Sequence, residues 1–221
     1  MLLIITFFLL LVVLNLKKGF FESSVNAIII FSFSTVLITE TLSFFKCINI
    51  LGVYLAWFFI LFCCLLIVYK KKKENINIVI FEFKRKKKTL LSNFSKTEKA
   101  YVLIIFTFLF LLFLQGILYP PNNWDSLTYH MSRIMYWIGN ESVNHFPSHV
   151  LRHLYQPPFT EYVIMNINLL NGNDYFSNSV QWLFLVFSIF PFWLILGKFK
   201  ISRFYKLIGV FVFITIPSLE L

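Results

Sequence analysis

Charged residues and cysteines are scarce in this chain. Asp, Glu, Lys and Arg together make up 14% of the 221 residues, and three cysteines are present, two of them adjacent. So few cysteines exclude a disulfide framework and a cysteine-rich metal motif. Internal repeats are not apparent, and the low-complexity stretches are runs of lysine. So little charge over a chain of this length is atypical of a soluble domain.

Long apolar runs occupy the places where charge is missing. Apolar residues account for 58% of the chain, phenylalanine alone for 29 residues, and the mean hydropathy is +0.76. Uncharged runs of about 20 residues are long enough to cross a hydrocarbon layer of about 30 Å as helices. We therefore predict an all-α, polytopic helical membrane protein with about six transmembrane helices, at residues 1–16, 25–45, 49–69, 100–119, 175–197 and from 207 onward.

The distribution of lysine and arginine predicts the orientation of these spans. The loops after the first, third and fifth spans hold 17 of the 20 basic residues, whereas the alternate loops hold Lys46, Arg133 and Arg152. Because basic loops stay on the cytoplasmic side, we expect the N-terminus and loop 119–174 to face outward. The net charge of +10 then reflects topology and contact with anionic lipid headgroups. The basic runs lack interleaved aromatic residues, so no nucleic-acid partner is expected.

The outer loop 119–174 is predicted to contain two amphipathic helices in the membrane interface. Apolar residues recur at helical spacing from Trp124 to Ile138, so one face would rest on the membrane and the other would face water. A second helix is predicted to begin at Phe159, after a proline pair, and to stop near Gly172. We expect the two helices to form a roof, with Asp125 pointing into a cavity beneath it. The water-facing side of the first helix would carry Asp125, Tyr129, Ser132, Arg133 and Tyr136.

All four histidines fall in the same loop. His149 and His153 are four residues apart, a spacing that can place two ligands on one metal in a helix. No glutamate follows the first of them as in zinc proteases, and Pro147 interrupts the helical geometry. We therefore predict no metal site and name no certain cofactor, with a divalent cation as an open alternative.

One set of residues in this loop carries a resemblance to a known family. Trp124-Asp125, Tyr129, Arg133 and Trp137 are followed by Tyr155, Pro157-Pro158 and Glu161. This order resembles the first outer loop of GT-C fold membrane glycosyltransferases, in particular the glycosyltransferase family 39-like group of protein mannosyltransferases and aminoarabinose transferases. The resemblance covers about residues 101–182. It departs from the family at Ser126, where a second acid is common, and at Gln156, which stands at the family's lysine position.

The resemblance implies transfer of a sugar from a polyprenyl-phosphate carrier to a lipid or glycan acceptor at the outer face of the bacterial plasma membrane. It implies that Asp125 is the base that takes the acceptor's proton. Arg133 and Arg152 would bind the leaving phosphate. Two simpler alternatives stay open, since Asp125 can favour a helix N-terminus and Arg133 can pair with Asp125 or with a lipid headgroup. The remaining expected substrate-binding residues are Tyr129, Tyr155, Gln156 and Glu161.

The chain divides into two regions under this interpretation. Residues 1–99 would form three N-terminal transmembrane helices and a basic cytoplasmic loop, and residues 100–221 would form the beginning of a GT-C-like core. Since the enzymes resembled are commonly longer, we expect the N-terminal portion of such an enzyme, with an inactive fragment as an alternative. The rival hypotheses are a non-enzymatic transporter or flippase subunit and an assembly partner in envelope polysaccharide synthesis.

Overall fold

The computed structural model describes residues 2–15, 20–70, 94–119 and 121–216, and every regular element in these ranges is helical. The all-α prediction is therefore confirmed. The elements are α1 (Leu2–Asn15), α2 (Phe20–Phe44), α3 (Ile50–Lys70), α4 (Lys96–Leu118), a π-helical turn (Ser126–His130), α5 (Met131–Gly139), α6 (Arg152–Tyr155), α7 (Phe159–Asn171), α8 (Ser179–Lys198) and α9 (Arg203–Ile214).

Four helices, α2, α3, α4 and α8, are long and apolar enough to cross a membrane. Their 20 to 25 residues correspond to about 30–38 Å at about 1.5 Å per residue. They coincide with the second to fifth predicted spans, so the prediction of a membrane protein is supported. α1 has 14 residues and α9 has 12, fewer than the roughly 17 that a span requires, so six spans are not confirmed. Most of the lysine-rich loop between α3 and α4 lies outside the described residues.

The spans form a bundle with two chemically different ends. α2 packs against α1 and α8, and α8 packs against α4 and α9. At one end Ser95 and Glu98 cap the start of α4, and Arg203 donates two hydrogen bonds to Glu98, Nε–Oε1 at 2.9 Å and Nη2–Oε2 at 3.1 Å. At the other end α2 and α4 stop and α3 and α8 begin. We call this the loop end, because the segment 121–178 connects α4 to α8 there.

α7 lies across the ends of α2 and α3 and is tied to both by hydrogen bonds. Tyr162 donates to Glu40 Oε1 (2.6 Å), and Asn166 Nδ2 donates to Thr39 Oγ1 (3.0 Å). Glu40 and Thr39 are adjacent in α2, whereas Tyr162 and Asn166 are one turn apart in α7, so the two helices cross at this point. Trp57 of α3 donates from Nε1 to Asn166 Oδ1 (2.8 Å). Asn166 therefore joins three helices.

These contacts leave α7 without a water-facing side. Residues 161–166 are all buried, and Asn171 is the first exposed position of the helix. The predicted bounds are confirmed, since the helix begins after a proline pair and ends at Gly172, whose φ of 71° is the left-handed conformation that glycine adopts readily. This helix was predicted to be amphipathic and to form part of a roof, whereas α2, α5 and α8 pack against it and bury most of its residues.

The first loop helix covers residues 124–139, but it is not a regular α-helix because of the π-helical turn. The extra residue in that turn rotates the residues before it by about 100° relative to those after it. Trp124 and Leu127 are exposed, as residues that rest on a membrane would be, but Tyr129 and Arg133, both predicted on the water-facing side, are buried. The prediction that Tyr129 and Arg133 face water is therefore wrong.

The connection between α2 and α3 is joined to the C-terminal end of α5. Ile48 donates its backbone N–H to the Glu141 carbonyl oxygen (3.3 Å). Val143 donates its backbone N–H to Ser43 Oγ (2.9 Å), which also lies 3.0 Å from Ser142 Oγ. We call this contact the hairpin seam. It fixes one end of the first loop helix to the spans.

Candidate functional site

Helix 124–139 brings its ionisable residues against the segment 148–161. Asn123 Oδ1 accepts a hydrogen bond from Ser126 N (2.6 Å) at the start of this helix, as a capping residue does. π-helical turns are rare and occur frequently at functional sites. The contacts made from this turn and from the following residues form two layers, an exposed pair at the surface and a buried cluster beneath it.

The exposed pair consists of Asp125 and Arg152. Arg152 Nη1 lies 2.5 Å from Asp125 Oδ1, and the two side chains are 47% and 54% exposed. The Arg152 guanidinium also lies over the ring of Tyr129, 5.2 Å from its centroid. The hydrogen bond and negative charge of Asp125 raise the pKa of Arg152, so the arginine remains charged. Both charged groups are accessible to a ligand from solvent.

The buried cluster is centred on Glu161, whose side chain is 1% exposed. Glu161 Oε1 lies 3.0 Å from His130 Nδ1 and accepts a hydrogen bond from Arg133 Nη1 (3.2 Å). Burial alone would raise the pKa of the Glu161 carboxyl, but the hydrogen bond with His130 and the positive charges around it outweigh burial, so the pKa lies below its ordinary value. Glu161 is therefore an ionised carboxylate under the site.

Arg133 supports this cluster from inside the protein. Its Nη1 also donates to the backbone oxygen of Gln156 (3.0 Å), and its guanidinium lies over the Trp137 ring, 4.7 Å from the centroid. The side chain is 4% exposed. Arg133 therefore pairs with Glu161 and not with Asp125, which was one of the alternatives left open by the sequence.

Two atoms of the buried pair have no hydrogen-bond partner within the part of the chain that the structure describes. They are Arg133 Nε and Glu161 Oε2, both buried. An unpaired buried atom of a charged group is costly. The hydrogen bonding of the pair is incomplete, so the packing of the neighbouring residues also holds it in place.

His153, one of the two histidines whose spacing could suit a metal, is held by serines. His153 is buried, with Nδ1 2.7 Å from Ser148 Oγ and Nε2 3.1 Å from Ser132 Oγ. Burial lowers the pKa of His153. His149 is exposed. No group of three or more His, Cys, Asp and Glu residues with metal-site geometry occurs among the described residues.

The structure brings most of the predicted site residues together. Asp125, Tyr129, Arg133, Arg152 and Glu161 belong to the two layers described above. Gln156 joins them through its backbone oxygen, and its side chain makes none of the contacts described here. Tyr155 is exposed, one turn along α6 from Arg152.

His130 belongs to the site but was not among the predicted site residues. It lies in the π-helical turn and contacts Glu161, which is 31 residues away in the sequence. The available signal was its position next to Tyr129, within a motif that already contained an acid and an arginine. The spacing of residues in a regular α-helix did not predict that His130 lies beside the Glu161 carboxylate.

A cavity of about 500 Å³ lies at the hairpin seam, away from this cluster. Asp125 does not line it, since the Asp125 side chain is half-exposed and pairs with Arg152 at the surface. The expectation that Asp125 points into a cavity under a roof is therefore not met by this cavity. The lining residues are Ile48, Asn49, Ile50, Leu51, Ile138, Glu141 and Leu169.

No protein-family model, curated protein or solved structure matches this chain.

Proposed function

We propose that this chain is a membrane glycosyltransferase of the GT-C type, which moves a sugar from a polyprenyl-phosphate carrier to a lipid or glycan acceptor. The observation that carries the proposal is the convergence of Asp125, Tyr129, Arg133, Arg152 and Glu161 at the loop end. These residues come from separate segments, and most of them are the ones on which the resemblance rests. A charged and aromatic cluster at the end of apolar spans suits a substrate whose lipid stays in the bilayer and whose phosphate lies at headgroup level.

The proposed reaction needs a base and a cation. The acceptor oxygen attacks the anomeric carbon, the bond from that carbon to the phosphate oxygen breaks, and the acceptor hydroxyl loses its proton. Asp125 is the proposed base, because its carboxylate is exposed and held in position at the start of a helix. When the carrier's phosphate binds Arg152, the Asp125 carboxylate loses its present partner and can accept the hydrogen bond of the acceptor hydroxyl.

The two arginines have different proposed roles. Arg152 is exposed and can bind the phosphate directly, whereas Arg133 is buried and engaged by Glu161 and Gln156. A guanidinium binds phosphate oxygens through two parallel hydrogen bonds when it can approach them freely. Arg152 is therefore the proposed phosphate ligand. The proposed role of Arg133 is structural, since it pairs with the buried Glu161 beneath the site.

The proposed location of the reaction is the outer face of the bacterial plasma membrane. Trp124 and Leu127 are exposed at the start of the first loop helix, where they can contact lipid at the interface. The basic residues of the opposite end favour its placement on the cytoplasmic side. These features support a proposed site in which the carrier's phosphate lies next to Arg152.

Replacement of the proposed base tests the function. Asp125→Asn keeps the size of the side chain but removes its ability to accept a proton at neutral pH. We expect the rate of sugar transfer to fall by about 10²–10⁴-fold. The measurement uses membranes that contain the chain, with undecaprenyl phosphate carrying radiolabelled mannose or aminoarabinose as donors.

Asp174→Asn is the matched control, since Asp174 is an exposed acid of the same loop outside the cluster. It should leave the rate unchanged. Normal transfer by Asp125→Asn would remove the assignment of the base. Movement of the labelled lipid across the membrane without transfer would favour a flippase. That rival ranks second because, within the four described spans, charged residues lie within five positions of a helix end, whereas transport sites lie near the midplane.

A further inference from the structure

His130 connects the buried carboxylate to the surface. Its Nδ1 lies 3.0 Å from Glu161 Oε1, and its side chain is 31% exposed while that of Glu161 is 1% exposed. No hydrogen-bond partner for His130 Nε2 occurs in residues 2–15, 20–70, 94–119 or 121–216. Nδ1 thus contacts the buried Glu161 carboxylate, and Nε2 can form a hydrogen bond with a ligand.

The partner of Nδ1 determines what Nε2 can do. An ionised carboxylate accepts hydrogen bonds but cannot donate them, so His130 Nδ1 carries a hydrogen. When the ring is protonated, Nε2 carries a hydrogen as well and can donate it outward. The same arrangement of carboxylate and histidine fixes the ring orientation of histidines that bind metals.

Tyr129 places His130 close to the exposed arginine. The ring centroids of Tyr129 and His130 are 4.0 Å apart, and the Arg152 guanidinium lies 5.2 Å from the Tyr129 centroid. Two nitrogen groups that can carry positive charge therefore flank one aromatic ring. Arg152 and His130 both lie against Tyr129, so an anion that binds beside this ring meets both groups.

The charges of the cluster also favour an anion. Arg133 balances Glu161, and Arg152 balances Asp125. With a protonated His130 the five residues carry one net positive charge. His130 and Arg152, whose side chains are 31% and 47% exposed, are the cations of this set that reach the surface.

We infer that His130 donates a hydrogen bond from Nε2 to the phosphate group of the ligand bound beside Arg152, and that Glu161 is its positioning residue. The inference rests on the proposed function for the identity of that ligand as polyprenyl phosphate. During transfer the electron pair of the broken carbon–oxygen bond stays on the phosphate. His130 gives its Nε2 proton to the phosphate and Asp125 takes the proton of the acceptor, so the protons balance.

Binding of phosphate compounds to the purified full chain in detergent tests the inference. The probes are undecaprenyl phosphate and inorganic phosphate, and the measurement is their dissociation constant by titration calorimetry. His130→Gln should weaken binding of undecaprenyl phosphate at least about 10-fold, as expected for loss of a charge-assisted hydrogen bond. His149→Gln replaces an exposed histidine of the same loop and should bind as the wild type does.

The pH dependence separates a phosphate ligand from a residue that only supports the fold. The advantage of the wild type over His130→Gln should shrink as pH rises through the range in which histidines lose their proton, about pH 5–8. The phosphate itself gains charge in this range, so the comparison is made between variants at each pH. His130→Arg keeps a permanent positive charge and should restore binding without this pH dependence. Glu161→Gln should weaken binding in the wild-type background but not in a His130→Gln background, because Glu161 acts through His130.

The outcomes separate the inference from the proposed function. Equal binding of both probes by wild type and His130→Gln at every pH overturns the inference, as does a wild type that binds neither probe. A defect with undecaprenyl phosphate alone supports a lipid-linked ligand, and a defect with both probes supports an anion site of broader specificity. If the wild type binds in a His130-dependent manner but transfers no sugar, the proposed function fails and the inference stands.

Discussion

At the scale of single residues, removal of one partner should lower the free energy of unfolding more for the buried ion pair than for the exposed ion pair. Arg133→Met leaves the Glu161 carboxylate buried without its arginine. We expect the free energy of unfolding to fall by about 3–5 kcal/mol, since an uncompensated buried charge is left behind. The measurement is the unfolding transition of the purified chain in mixed micelles, supported by its melting temperature.

Arg152→Met is the control for that experiment. Asp125 and Arg152 are both exposed, so water can solvate the remaining charge and the unfolding transition should barely move. A second variant, Arg133→Met combined with Glu161→Leu, should recover much of the lost stability because no charge stays buried. Equal losses for Arg133→Met and Arg152→Met would contradict the assignment of buried and exposed layers.

Residue types alone predicted part of this site. The motif that contains Asp125, Tyr129 and Arg133 selected side chains that the structure does bring together with Arg152 and Glu161. The burial of individual side chains could not be predicted in the same way. Whether an arginine faces water or a carboxylate depends on what α7 places opposite it, and no local pattern contains that information.

At the scale of helices, Asn166 should stabilise the position of α7. Asn166→Leu removes the hydrogen bonds to Thr39 and Trp57 and leaves the indole N–H of Trp57 buried without a partner. We expect a loss of about 2 kcal/mol, from two hydrogen bonds of about 0.6 kcal/mol each and the cost of the unpaired donor. The unfolding transition in mixed micelles measures this loss.

The control for Asn166 lies in the same helix. Asn171 is exposed at the C-terminal end of α7, so Asn171→Leu should leave the transition close to that of the wild type. Because α7 also carries Glu161, Asn166→Leu is further expected to reduce phosphate binding through displacement of His130. A stable Asn166→Leu variant would mean that apolar packing alone holds α7 against α2 and α3.

The bounds of the helices were easier to predict than which faces of the helices are buried. The proline pair before Phe159 and the glycine at position 172 gave both ends of α7, because each residue acts through its own backbone. The π-helical turn has no comparable local signal. Its extra residue rotates Trp124 and Leu127 away from the face of Ile134, so a regular helical pattern assigned the wrong faces.

At the scale of the whole molecule, the distribution of lysine and arginine predicts which end of the bundle faces outward. In a variant with Cys47, Cys63 and Cys64 replaced by serine, single cysteines at His145 and Lys198 report on the two ends, since both positions are exposed. We expect a membrane-impermeant maleimide to label His145→Cys in intact cells. Lys198→Cys should react only after the membrane is permeabilised. The opposite pattern would invert the topology and place the cluster in the cytoplasm.

The general organisation was predictable from hydropathy. Four of the expected spans appear as helices of sufficient length, because about 20 consecutive apolar residues have few alternatives to a transmembrane helix. The first and last expected spans correspond to shorter helices, α1 and α9. The transverse position of α7 depends on hydrogen bonds between residues more than 100 positions apart, such as Asn166 with Thr39. Hydropathy carries no information about such pairs.

Under the proposed function, the hairpin seam would restrict the direction from which the substrate enters. Hydrogen bonds from Ile48 and Val143 close the flank of the loop end beside α5, so a prenyl chain that diffuses in from that flank would have to break them. The other end of the helix carries the exposed side chains of Trp124 and Leu127. The lipid donor of the proposed reaction would therefore reach Arg152 from the N-terminal end of the helix, and the spent carrier would leave by the same route.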